Sequence, residues 1–85
     1  MRELQIRYPV APGEHLTEFE CAGVQHVVIA RSYNADLIPG HSKFQTRMQY
    51  LTAASDGKLY EVYIYYYFSR GDGRHYAVVD AIREY

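Results

Sequence analysis

The side chains in this sequence able to ligate, attack or stack are four histidines, one cysteine and ten tyrosines. His15, His26, His41 and His75 never fall at the His-x-His or His-x3-His spacing that sets two ligands together, so no metal centre is expected. Cys21 stands alone. A thiolate nucleophile would need His15 or His26 delivered by the fold, and a single cysteine near Phe19 reads instead as a small buried hydrophobe. Glu18 and Glu20 do not meet on a strand or a helix, which leaves no carboxylate pair for acid–base work. Gly40-His41-Ser42-Lys43-Phe44 approaches the Gly-x-Ser-x-Gly nucleophile elbow but carries Phe44 at its last glycine. That elbow also needs a large parallel sheet, which this short chain does not supply. The same Gly40–Lys43 run has a weaker reading as an anion-binding loop. Arg70-Gly71-Asp72 matches an adhesive tripeptide, although turn chemistry alone explains Gly71-Asp72-Gly73. No catalytic residue, metal or cofactor is assigned.

The tyrosines are the feature that remains. In Tyr60-Glu61-Val62-Tyr63-Ile64-Tyr65-Tyr66-Tyr67-Phe68, strand alternation sets Tyr60, Val62, Ile64, Tyr66 and Phe68 on one face. Leu59, Glu61, Tyr63, Tyr65 and Tyr67 take the other. The first set is the drier and is expected to face the core. Neither face is the plain polar surface of a strand with one side in water. Cross-strand aromatic pairs stabilise sheets, and that alone accounts for part of the pattern. Tyrosine also offers a rigid apolar body with a polar tip, the composition of a binding surface. The expected partner-binding residues are Tyr63, Tyr65 and Tyr67, with Arg47, Arg70 and Arg74 at the rim. The expected partner is another protein, a second copy of the chain in a homodimer, or both. A single-stranded nucleic acid stacking on the tyrosines is the alternative.

Charge and composition bound these readings. Nine basic against ten acidic residues leave a net charge of −1, the wrong balance for a protein held by phosphate charge alone. The charge is uneven: Glu3, Glu14, Glu18 and Glu20 make the first third acidic, and Arg31, Lys43 and Arg47 make the middle basic. A composition of 48% hydrophobic and 22% charged residues is that of a globular chain. No apolar run approaches the ~18–20 residues of a membrane helix. Met1-Arg2-Glu3-Leu4-Gln5 has no apolar signal region, and one cysteine suits a reducing compartment, so a cytoplasmic location is expected. Together these features point to a non-catalytic adaptor, an accessory subunit or an inhibitor of the kind that phages and mobile elements encode.

The elements that must position these residues follow from periodicity. Eighty-five residues predict a single domain, 1–85. Strands are expected at about 2–8, 24–33, 43–53, 59–68 and 75–84. Residues 14–22 read as a short helix through Leu16, Phe19 and Ala22, although Thr17, Phe19 and Cys21 also alternate. Residues 76–85 carry the same ambiguity, with Tyr76, Val78 and Ile82 sharing a face if the segment is a strand. Asn34–Gly40 reads as a loop, Ser55-Asp56-Gly57-Lys58 as a hairpin turn, and Ser69–Arg74 as a second turn. The sum is an α+β fold: a small antiparallel sheet of four to five strands with one helix packed on it.

Overall fold

The computed structural model describes residues 2–37 and 46–85. They form six strands: β1 Arg2–Val10, β2 Glu18–Cys21, β3 Val24–Leu37, β4 Thr46–Ala54, β5 Leu59–Ser69 and β6 Arg74–Glu84. All pairings are antiparallel, in the order β1-β6-β5-β4-β3-β2. The fold is therefore all-β, and among the described residues there is no helix. The expected α+β class is corrected, and so is the count of strands.

The expected helix at 14–22 is where that reading went wrong. Residues 14–17 are irregular, and Glu18–Cys21 is strand. Its burial alternates, with Phe19 and Cys21 inward and Glu18 and Glu20 in solvent. The deciding feature is the turn that follows. Ala22 and Gly23 have φ of 52° and 80°, both left-handed, and Cys21 pairs directly with Val24. This is a two-residue hairpin loop whose backbone twist suits the flanking strands. Ala22 lacks the usual asparagine or aspartate signal there, so the hairpin was hidden.

Asn34–Gly40 is corrected in part. The strand continues to Leu37, while Ile38, Pro39 and Gly40 lie outside the described residues. So do His41, Ser42, Lys43 and the expected start of a strand at 43. β3 breaks register twice, after Val28 and after Ser32. Bulges of this kind let a strand run through residues that would spoil a regular ladder.

The two hairpins at 54–60 and 69–76 share a pattern, Asp-Gly-[Lys/Arg]-x-Tyr. Asp56 accepts a hydrogen bond from the Lys58 backbone at 2.9 Å and another from the Tyr60 hydroxyl. Asp72 does the same for the Arg74 backbone at 3.2 Å and the Tyr76 hydroxyl. Each aspartate closes its turn and also anchors the first aromatic ring of the returning strand. The hydrogen bond from Tyr60 holds Asp56 below the usual carboxylate range and, with burial, pushes Tyr60 up to about 12.

The sheet is curled into a half-barrel. In a flat sheet of six strands the edge strands would lie about 24 Å apart, five spacings of ~4.8 Å. Here the Tyr8 hydroxyl of β1 donates to the Glu20 carbonyl of β2, and the Tyr8 and Phe19 rings are 6.1 Å apart. The concave side holds the core: Leu16, Phe19, Cys21, Tyr50, Val62, Ile64, Ala77, Val79 and Ile82. Val62 and Ile64 face it as alternation requires, whereas Phe68 at the strand's end is exposed. On β6 the expected shared face breaks. Tyr63 pairs with Ala81 and Ile64 with Val79, so Asp80 is an extra residue. That bulge turns Ile82 inward while Tyr76 and Val78 stay on the convex side. Among the described residues no helix is long and apolar enough to cross a membrane.

Candidate functional site

Strand alternation delivers Tyr63, Tyr65 and Tyr67 to the convex side of β5, all half-buried. The antiparallel ladder sets their neighbours. One row across the sheet runs Tyr65, Val78, Arg7, and the next runs Tyr67, Tyr76, Pro9. The Tyr65 and Tyr67 rings lie 6.4 Å apart, and Tyr67 stacks on the buried Tyr76 at 5.6 Å. Arg7 places its guanidinium 4.4 Å from the centre of the Tyr76 ring and donates to the Tyr67 hydroxyl at 3.0 Å. Burial raises Tyr65 above its ordinary value, so its hydroxyl stays protonated.

The expected rim residues divide. Arg47 lies over the Tyr63 ring at 5.4 Å and forms an ion pair with Asp80 at 3.1 Å. The β6 bulge that displaces Asp80 supplies this partner. Arg47 is partly covered, and its Nε finds no acceptor among the described residues. Its charge is thus largely answered from within the fold. Arg83 and Glu61 pair in the same way on the convex side of β5 and β6. Arg70 and Arg74 stand exposed in and beside the β5–β6 turn, beyond the Tyr67 end of the row. The sequence reading missed Arg7 and Tyr76. Arg7 sits sixty residues before Tyr67, and only the β1–β6 pairing joins them. Tyr76 was legible in principle, because the Asp-Gly-Arg-x-Tyr turn repeats the Asp-Gly-Lys-x-Tyr of the preceding hairpin.

A second polar cluster lies on the concave side. The Leu16 backbone N–H donates to the Tyr66 hydroxyl at 2.9 Å, Tyr66 and Tyr50 hydroxyls meet at 2.8 Å, and Tyr50 meets His15 Nδ1 at 3.0 Å. These contacts are all satisfied when each hydroxyl donates to the next acceptor and His15 Nδ1 ends the chain. That arrangement sets the proton of neutral His15 on Nε2. His15 and Tyr66 also wall a cavity of about 220 Å³ with Glu14 and His75. The volume falls short of the ~300 Å³ where small-molecule sites begin. The chain's evident effect is to pin the 14–17 segment onto the sheet.

Cys21 and His26 line a cavity of about 230 Å³, but His26 Nδ1 is engaged by the Thr52 hydroxyl at 2.9 Å. The His26 ring stacks on Phe19 at 4.9 Å. No three His, Cys, Asp or Glu side chains among the described residues gather as a metal site.

Burial lowers the His26 value below the ordinary 6.5, against a weaker upward pull from Asp56. Tyr60 meets the ring edge-on and is neutral, as are Phe19 and Thr52. Between the lowered value and 6.5, the unfolded chain takes up a proton that the folded chain refuses. The stability that neutral His26 contributes is therefore complete above 6.5 and is lost progressively below it. The thermal midpoint is expected to fall between about pH 7 and pH 5, inside the usual window of histidine switching. A midpoint constant over that interval would show that the core accepts imidazolium without cost.

No known protein family matches this chain, and no curated protein or solved structure resembles it at a significant level.

Proposed function

We propose that the chain is a non-catalytic, cytoplasmic protein-binding module, an adaptor, accessory subunit or small inhibitor, that engages its partner through the convex tyrosine face. One observation carries this reading. Tyr63, Tyr65 and Tyr67 are half-exposed yet held in place by Arg47, Arg7, Tyr76 and each other. Aromatic anchors already ordered in the free protein lose little entropy on binding, which is what hot-spot residues require. Base stacking is less well served. It needs open ring faces, whereas Tyr67 lies against Tyr76 and Tyr63 lies under Arg47.

The test compares the wild type with Tyr65→Ala. The variant is expected to keep its circular dichroism spectrum and to weaken the partner complex by more than about 1 kcal/mol. Wild-type affinity in the variant would overturn the proposal. A parallel titration with labelled mixed-sequence single-stranded DNA and RNA at low and high salt is expected to show no binding. Binding that weakens steeply with salt would instead assign the face to nucleic acid.

A further inference from the structure

The convex surface carries two patches of opposite charge, one on β1 and β6 and the other on β2, whose edges the curl brings together at Tyr8 and Glu20. On the first, Arg7 lies over Tyr76 and donates to Tyr67, and the Arg74 backbone and the Tyr76 hydroxyl share Asp72, which places both arginines in one neighbourhood with Tyr67. Asp72 is the carboxylate of that cluster. Its hydroxyl bond from Tyr76 and backbone bond from Arg74 commit it to the turn. Arg7 is exposed and fixed by Tyr67 and Tyr76. Its planar fork of five donors suits a carboxylate. The cations at the other end of the tyrosine row, Arg47 and Arg83, are already paired.

On the second, Glu18 and Glu20 project outward from β2 and are exposed. Neither appears in an ion pair among the described residues. Glu18 pairs across the ladder with Val27, which is 45% exposed, and Ile29 two residues on is 55% exposed. One patch is therefore aromatic with arginines, and the other is aliphatic with glutamates. Exposed valine and isoleucine beside carboxylates are the natural counterpart of tyrosine rings beside guanidiniums.

We infer that the occupant of the tyrosine face is a second copy of this chain. The Glu18, Glu20, Val27 and Ile29 patch of one copy seats on the Arg7, Arg74 and Tyr67 patch of the other. This rests on the proposed role of the tyrosine face and names its partner. The two patches differ, so a twofold dimer makes the contact twice. A single contact leaves one patch of each kind open and propagates.

Sedimentation velocity on the full chain, over a concentration series at low and high salt, tests the inference through charge reversal. Wild type is expected to self-associate, more weakly as salt rises. Arg7→Glu with Arg74→Glu, and separately Glu18→Lys with Glu20→Lys, are each expected to weaken self-association by about tenfold or more. An equimolar mixture of the two reversed proteins is expected to recover association. The glutamates are exposed and outside the core, so their reversal leaves folding intact, which circular dichroism checks. A wild type that stays monomeric at its solubility limit overturns the inference, as does a mixture that stays monomeric. Either failure is separable from the role of the tyrosine face, because Tyr65→Ala would still weaken a complex with a different protein.

Discussion

Phe19→Ala is expected to lower the stability of the fold by about 3–5 kcal/mol, the cost of deleting a buried aromatic side chain. Phe19 is only 3% exposed and packs from a strand of four residues that has one hydrogen-bonded neighbour. Its ring lies almost parallel to His26, at 3° and 4.9 Å, and tilts against Tyr8 across the open seam of the half-barrel. Removing it leaves a void, strips His26 of its stacking partner and takes away the apolar contact between the two sheet edges. A domain of this size has a total stability of roughly 4–13 kcal/mol, so the variant stands near the threshold of folding. Urea unfolding followed by circular dichroism measures the change. A loss below about 1 kcal/mol would show that β2 lies outside the cooperative core.

Tyr50→Phe is expected to cost about 1–3 kcal/mol although it removes a single oxygen. Tyr50 is fully buried, and its hydroxyl is the middle link between Tyr66 and His15. Without it the half-buried Tyr66 hydroxyl and His15 Nδ1 each lose a partner. The cost is that of two hydrogen bonds, each contributing about 0.5–1.5 kcal/mol net. Tyr66→Phe removes the other hydroxyl and orphans the Leu16 N–H. The two changes share one network, so the double variant is expected to lose less than the sum of the singles. Strict additivity in urea unfolding would show that the hydroxyls act independently. These two residues hold the 14–17 segment, and with it the entry into β2.

Most of the sheet was legible because period-two alternation is a local property. Leu59–Ser69 and Arg74–Glu84 lie almost where the pattern put them, and both Asp-Gly turns connect strands as their chemistry requires. The tyrosines fell on the face that alternation assigned. The helix at 14–22 failed because its apolar residues fit both periods, and the Ala22-Gly23 loop that decides for a hairpin lacks the usual turn residues. The face of Ile82 failed because one inserted residue, Asp80, inverts every side chain beyond it.

The alternating strands, the tight turns and the grouping of Tyr63, Tyr65 and Tyr67 could be read along the chain, since each depends on neighbours within a few residues. What surrounds them comes from contacts distant in the chain. Pairing between β1 and β6 brings Arg7 to Tyr67, the bulge in β6 hands Asp80 to Arg47, and the curl of the sheet closes Tyr8 onto Glu20. Those contacts join residues 60, 33 and 12 positions apart. No periodicity along the chain encodes such separations, because they arise from strand order, register and curvature, which are properties of the whole sheet.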